Sequence, residues 1–145
     1  MRSDRTSGRH DGLNVVIADD DPIVVGQVLA TLRADGLCVF HAYDGRAAVE
    51  LALALRCLHL LISNTRIADV PGIELIHQLR AERPDLPVIY LANIGRSTPA
   101  IEAQLPPGVP ILREPFTAAE LLGLVRRLLP AHVERRRNEE DPTGY

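Results

Sequence analysis

The chain has 145 residues, enough to build one hydrophobic core and too few for two, so a single domain is expected. Its 46% hydrophobic residues, 24% charged residues and net charge of −3 are typical of a globular protein and exclude disorder throughout. No stretch approaches the roughly 18 consecutive apolar residues of a membrane span, and the start of the chain is polar, so a cytoplasmic protein without membrane contact is expected.

One pattern recurs five times between residues 13 and 130: a short apolar run, a turn, and an apolar stripe at helical spacing. In the first unit, Val15–Ala18 predicts a buried strand, and a helix opens at Pro22. Asp21 stands at the N-cap position of that helix, and Gly36 is placed to end it.

The second and third units repeat this order. Cys38–Ala42 predicts a strand, and Asp44 caps the helix after it. Leu58–Ser63 predicts the third strand, which is followed by a loop over Asn64–Pro71 and a helix from Gly72.

The last two units are less regular. Pro87–Leu91 predicts a fourth strand, and Pro99–Gln104 predicts a fourth helix of barely two turns that the following prolines end. Val109–Leu112 predicts a short fifth strand, and Thr117 with Glu120 fits a capping box at the start of the last helix.

The ends of the chain lack this periodicity. Residues 1–12 predict a flexible segment and residues 131–145 a charged, disordered tail. The Arg135–Arg137 run lies among acidic residues, so a solvated tail is expected and a nucleic-acid partner is not. Cys38 and Cys57 lack disulfide or zinc spacing and are expected to be buried as small hydrophobic residues.

Strands alternating with helices predict an α/β doubly wound, five-stranded parallel sheet covered on both faces. Ligands of such sheets bind at the carboxyl ends of the strands. The positions of interest are therefore Asp19–Asp21, Asn64, Ala92–Asn93 and Glu114.

The segment from Leu13 to Leu129 resembles a response-regulator receiver domain of two-component signalling. The similarity lies in VVIADDDP at the first strand, LLISNTRIADVPGIEL around the third, PVIYLAN at the fourth and ILREPF at the fifth. It implies the flavodoxin-like strand order 2-1-3-4-5. In that family an acidic pair after the first strand binds magnesium, and an aspartate ending the third strand is phosphorylated. A Thr or Ser ending the fourth contacts the phosphoryl group, and a Lys before a Pro after the fifth neutralises charge.

The acidic pair is present as Asp19 and Asp20, but the phosphoacceptor position holds Asn64. The register is secure because the family's glycine follows eight residues later, at Gly72. Moving the acceptor to Asp69 would leave three residues to that glycine and place the carboxylate in the loop. A neutral carboxamide is a poor nucleophile, so phosphotransfer at the usual position is expected to be lost.

The other family positions are also changed. Ala92 occupies the Thr/Ser position and has no hydroxyl, and Glu114 places a negative charge where the family has a lysine. All sixteen basic residues are arginines, so no lysine replaces it. Ile111 occupies the position of the aromatic switch residue.

Crowded carboxylates raise one another's pKa unless a cation intervenes. We therefore expect either weak Mg²⁺ or Ca²⁺ binding by Asp19 and Asp20, with the Asn64 carbonyl, or neutralisation by Arg66 or Arg113.

These residues predict a stand-alone pseudo-receiver, not an enzyme, that contacts a histidine kinase or another regulator without phosphorylation at the usual position. No output domain fits in the 145 residues. Two alternatives remain open: a phosphorelay receiver with a displaced acceptor such as Asp19 or Asp20, and an enzyme or small-ligand binder that reuses the acidic cleft.

The expected contact face is built by the fourth helix, fifth strand and fifth helix. The short fourth helix is expected to leave Ile101, Leu105 and Val109 incompletely covered. A homodimer or heterocomplex would cover them, and a monomer with a truncated helix is the alternative.

Overall fold

A computed structural model of the chain describes residues 12–68 and 70–129. The strands in chain order are β1 (Asn14–Ala18), β2 (Cys38–Ala42), β3 (Leu60–Asn64), β4 (Arg66–Ile67), β5 (Val70–Pro71), β6 (Val88–Ala92) and β7 (Ile111–Arg113). The helices are α1 (Pro22–Ala34), α2 (Gly45–Ala54), α3 (Gly72–Glu82), α4 (Pro99–Glu102) and α5 (Ala118–Leu128). In the described residues, no helix is long and apolar enough to cross a membrane.

Five strands form a parallel sheet in the order β2-β1-β3-β6-β7. Counting only these five, the order is 2-1-3-4-5, as the resemblance implies, and the doubly wound fold is confirmed. The short strands β4 and β5 pair with each other as an antiparallel hairpin between β3 and α3.

Side chains alternate along each strand, so the sheet buries two separate apolar clusters, one on each face. In β1, Val15 and Ile17 pack with α1 and α5, whereas Val16 and Ala18 pack with α2 and α3. Burying one such large aliphatic side chain contributes about 1.5–3 kcal/mol, so both faces contribute to stability.

The predicted helix starts are confirmed. The side chain of Asp21 accepts from Ile23 N at 2.9 Å, and that of Asp44 accepts from Ala47 N at 2.7 Å. The box formed by Thr117 with Glu120 is complete. These caps satisfy amide groups that helix geometry leaves without partners.

Three expectations were wrong. Cys38 and Cys57 are exposed, because one opens the edge strand β2 and the other lies in the connection before β3. Asn64 belongs to β3, and the predicted loop after it contains the β4–β5 hairpin. The fourth helix is shorter than expected, with four residues.

Apolar residues of α4 and of the segments after it are only partly buried, which agrees with the expected incomplete covering. The side chains that pack partly buried against the α2–α3 side of the core are Ile101, Leu105, Val109 and Ile111. Proline-broken backbone does not prevent this packing, because a side chain needs only a neighbouring apolar surface and not a long helix. Most of the predicted flexible segment, residues 1–11, and residues 130–145 with the charged tail lie outside the described residues.

Candidate functional site

The carboxyl ends of the parallel strands lie at one edge of the sheet and bring distant polar residues together. Asp19 follows β1 and Asn64 ends β3, while Ala92 ends β6 and Glu114 follows β7. Backbone hydrogen bonds continue the ladder past the strands, from Asp19 N to Ala42 O and from Glu114 N to Ala92 O, both at 3.1 Å. The structure therefore gathers the predicted positions.

Asp19 is fully buried at this edge. Its Oδ1 accepts from Asp21 N at 2.9 Å, and its Oδ2 has no hydrogen-bond partner within the described part of the chain. Burial is the main cause that raises the pKa of Asp19; the Asn64 side chain partly opposes the shift, and the charges of Asp20 and Asp21 add to it.

Asp20 has a different role, because its side chain reaches the hairpin loop. Asp20 is exposed, and its Oδ2 accepts from Ala68 N at 3.0 Å. Ala68 adopts a φ of 48°, a left-handed conformation that is uncommon for a residue with a Cβ. The Asp20 carboxylate thus stabilises the turn beside the site.

Asn64 and Thr65 form a buried polar connection between β3 and β6. Asn64 Oδ1 accepts from Thr65 N at 2.6 Å. The Thr65 hydroxyl donates to Leu91 O and accepts from Asn93 N, each at 2.8 Å. We did not predict this role of Thr65; its signal in the sequence is a hydroxyl residue directly after a buried strand.

Gly72 fits where no other residue would. Its N–H donates to Thr65 O at 2.8 Å, and a Cβ on Gly72 would lie 1.7 Å from the backbone oxygen of Asn64. The close approach of the start of α3 to the end of β3 therefore requires glycine, which gives the register between Asn64 and Gly72 a physical basis.

Glu114 lies at the opposite side of the edge. Its Oε1 accepts from Asn93 Nδ2 at 3.3 Å, while its Oε2 is buried and lacks a hydrogen-bond partner among the described residues. Burial is the first cause that raises the pKa of Glu114, and the negative charges of Asp19 and Asp21 raise it further.

Arg66 and Arg113 were expected as possible partners of these carboxylates, but neither forms an ion pair with them among the described residues. Both terminal nitrogens of Arg113 bind Glu102, at 2.9 and 2.8 Å, instead of the neighbouring Glu114. Among the described residues, no ion pair joins Arg66 to the acidic cluster. The arrangement contains unpaired carboxylate oxygens and is suited to attract cations.

Only part of the donor set needed for a hard divalent cation is in place. Carboxylate and carbonyl oxygens are suitable ligands, and the unpartnered Oδ2 of Asp19 fits this role. Asp20 and Asn64 each already accept a backbone hydrogen bond. Within residues 12–68 and 70–129, no group of three or more His, Cys, Asp or Glu side chains is arranged to hold a metal ion. The donors thus fit weak cation binding at most.

Residues 15–126 match the response regulator receiver domain family. This chain belongs to that family. The response regulator receiver protein from Sinorhizobium medicae superposes with a TM-score of 0.74 at 25% identity, covering 82% of this chain and 95% of that one. The receiver domain of the Francisella response regulator 1452 gives 0.72 at 25% identity, covering 83% and 99%.

Similar proteins include longer regulators. The probable transcriptional regulatory protein TcrX of Mycobacterium tuberculosis is 29% identical over 83% of this chain and 52% of its own length. The C4-dicarboxylate transport transcriptional regulatory protein DctD of Pseudomonas aeruginosa is 32% identical over 79% of this chain and 25% of its length. The chain thus spans about half of TcrX and a quarter of DctD.

Proposed function

We propose that this receiver is a pseudo-receiver that signals through protein contacts and is not phosphorylated at Asn64. The observation that carries the proposal is the carboxamide at the end of β3, whose Oδ1 is engaged by Thr65 N at 2.6 Å. Formation of an acyl phosphate requires attack by a carboxylate oxygen, and a neutral amide does not supply that nucleophile.

The surroundings also oppose a phosphoryl group. Ala92 offers no hydroxyl, and Glu114 presents a carboxylate where charge neutralisation would be needed. Arg113 is held by Glu102 instead. Among the described residues no ion pair neutralises Asp19 or Glu114, so an incoming phosphate would meet like charge.

Receiver domains contact histidine kinases and other regulators, so a signalling protein is the expected class of partner. TcrX and DctD are named as transcriptional regulators, which supports a role in gene regulation. We propose a constitutive homodimer or heterocomplex through the face of α4, β7 and α5. Its apolar residues, partly buried in the isolated chain, are Ile101, Leu105 and Val109.

Incubation with acetyl phosphate and Mg²⁺, followed by intact mass spectrometry, tests the proposal. We expect no phosphoryl adduct on the native chain and little on Asn64→Asp, because Ala92 and Glu114 still oppose the incoming charge. The triple variant Asn64→Asp, Ala92→Thr, Glu114→Lys should be modified more readily. A stable adduct at Asp19 or Asp20 of the native chain would contradict the proposal and favour a displaced acceptor.

We also propose that Asp19 and Asp20, with the Asn64 carbonyl, bind Mg²⁺ or Ca²⁺ weakly. The cation would supply neutralisation of the crowded carboxylates. Calorimetry should detect heat in the millimolar range that is reduced in Asp20→Asn and retained in Glu82→Gln, an exposed acid on α3. Absence of heat at millimolar Mg²⁺ and Ca²⁺ would refute this binding.

A further inference from the structure

A groove of about 360 Å³ opens beside Glu114, between the start of α1 and the segments that follow β6 and β7. Ile23 of α1 and Ile94 form its apolar rim, and the buried Phe116 also lines it. Gln27 holds the groove together, because its Nε2 donates to Phe116 O at 2.8 Å. The groove therefore has walls tied to one another by a hydrogen bond.

Two exposed aliphatic side chains mark this groove. Ile23 is 82% exposed and Ile94 is 75% exposed, the two largest values among the exposed large hydrophobic residues described. Both line the same groove. Exposure of two isoleucines to water is unfavourable, and contact with the aliphatic part of a ligand would remove it.

The polar wall of the groove lacks a positive partner. Glu114 Oε1 has a neutral donor, Asn93 Nδ2, and Oε2 has none within the described chain. The second unpartnered carboxylate oxygen, Asp19 Oδ2, belongs to a residue that acts electrostatically on Glu114. None of the residues that line the groove is basic. The groove thus combines an apolar rim with uncompensated negative charge.

We propose that this groove binds a guanidinium or ammonium group carried on an aliphatic stem, with the cation at Glu114 and the stem between Ile23 and Ile94. Guanidinium and ammonium groups supply several N–H donors to a carboxylate, and their aliphatic stems pack on apolar surfaces. The ligand is either a free small cation or an Arg or Lys side chain of a partner protein. This inference concerns binding alone and goes beyond the proposed absence of phosphorylation.

A second cavity among the described residues is less suited to such a ligand. It has a volume of about 540 Å³ and is lined by Arg66 and Arg96 together with Glu74. Two arginines repel a cation, and the unpartnered buried side-chain oxygens of the described residues belong to Asp19 and Glu114, neither of which lines this cavity. Of these two cavities, the groove beside Glu114 therefore has the better charge complementarity to a cation.

Butylguanidine and butylurea provide a matched pair of probes, because they share a shape and differ in charge. We expect butylguanidine to bind the full chain at least about tenfold more tightly in an NMR titration, since a charged hydrogen bond to a carboxylate is lost with the urea. Amide shifts should move at Ile23, Asn93 and Ile94. Equal binding of the two probes would overturn the proposal.

Variants of the chain test where butylguanidine binds. Glu114→Gln keeps the side-chain shape and should abolish the preference for the charged probe, whereas Glu82→Gln, on α3, should leave it unchanged. Ile94→Ser changes an exposed position, so it preserves the fold, and should weaken butylguanidine binding about threefold. Full affinity in both Glu114→Gln and Ile94→Ser would place the probe elsewhere and overturn the assignment.

A short peptide containing arginine, compared with the same peptide containing citrulline, distinguishes the two sources of the cation. Tighter binding of the arginine peptide than of butylguanidine supports a partner protein, and tighter binding of butylguanidine supports a free small cation. Both results support the proposed chemistry. Binding of the citrulline peptide as tight as that of the arginine peptide would argue against it.

Discussion

The carboxyl edge of the sheet has two sides that differ in how their buried polar atoms are satisfied. On the β3 side, the Thr65 hydroxyl both donates and accepts, and Asn64 Oδ1 is bound by a backbone N–H. On the β1 and β7 side, Asp19 Oδ2 and Glu114 Oε2 lack partners in the part of the chain that the structure describes.

This difference indicates that the two sides have different roles, one in supporting the fold and the other in binding. A buried polar atom without a partner costs about 1–3 kcal/mol, so the β1 and β7 side lowers stability unless another group arrives. The β3 side has its polar atoms satisfied, and α3 approaches the end of β3 closely at Gly72. We infer that the first side presents charge to ligands and the second holds the edge in place.

Gly72→Ala should produce the largest loss of stability, because its Cβ would clash with the backbone oxygen of Asn64 at 1.7 Å. We expect the free energy of unfolding to fall by at least about 3 kcal/mol in urea denaturation. Gly123→Ala, inside α5 with nothing within 4 Å of the added Cβ, is the matched control and should gain about 0.5–1 kcal/mol. Similar small effects of the two substitutions would show that the backbone between β3 and α3 shifts to accept the added Cβ.

Thr65→Val should have the next largest effect. The substitution keeps the branched shape and removes the hydroxyl that joins Leu91 O to Asn93 N, so a loss of about 2 kcal/mol is expected by urea denaturation. Thr65→Ser retains the hydroxyl and should recover much of that loss. If Thr65→Val is as stable as the native chain, the β3 side does not depend on this connection.

The elements of this edge could be predicted from the sequence because their signals are local. Cys38–Ala42 is found as a strand with the predicted bounds, and Asp21 and Asp44 cap their helices. A continuous apolar run and a capping side chain each act within a few residues, so no tertiary information is required.

Contacts between distant residues could not be predicted in this way. Arg113 was expected near the acidic cluster because Glu114 is its neighbour, yet successive side chains of an extended segment point to opposite sides, and Arg113 reaches Glu102. The β4–β5 hairpin has two residues in each strand, which is too short for a periodic signal. Thr65 acts through β6, which lies next to β3 only in the folded sheet.

Glu114→Gln should have a smaller effect of the opposite sign. Removing a charge that burial destabilises is expected to raise the free energy of unfolding at neutral pH by about 1 kcal/mol, while the amide oxygen still accepts from Asn93. Glu82→Gln, at an exposed position, should change stability very little. A loss of stability in Glu114→Gln would mean that the native carboxylate already has a favourable partner.

The pH dependence of stability should also show that burial destabilises the charged forms of Asp19 and Glu114. The pKa values of Asp19 and Glu114 are raised above their ordinary 3.8 and 4.5, so the folded state binds protons more readily. Their contribution is complete below those ordinary values and is lost as the pH rises through the raised pKa values. Urea denaturation should therefore show stability increasing as the pH is lowered from neutral towards these ordinary values, and the Asp19→Asn, Glu114→Gln double variant should lose this trend. A native profile as flat as that of the double variant would contradict the burial of these charges.

The smallest effect on stability is expected for Arg113→Gln, because the Arg113 side chain is 64% exposed. The substitution is informative because it changes the pKa of Glu102. Hydrogen bonds from Arg113 and from Ser97 lower the pKa of Glu102 to about 2, so the contribution of Glu102 to stability is present above its ordinary pKa of 4.5 and is lost as the pH falls towards 2. In Arg113→Gln, carboxyl ¹³C NMR should show the pKa of Glu102 rising towards 4.5 but staying below it, because Ser97 still donates.

The same spectra also test whether Arg113 affects the charge of Glu114. Since Arg113 is bound to Glu102, its removal should leave the titration of Glu114 unchanged. An upward shift at Glu114 in Arg113→Gln would show that this arginine also neutralises the groove, and the groove would then lack the uncompensated charge that attracts a cation. Unchanged titration at Glu114, with a clear rise at Glu102, would place the two glutamates in separate electrostatic environments although Arg113 and Glu114 are neighbours in the chain.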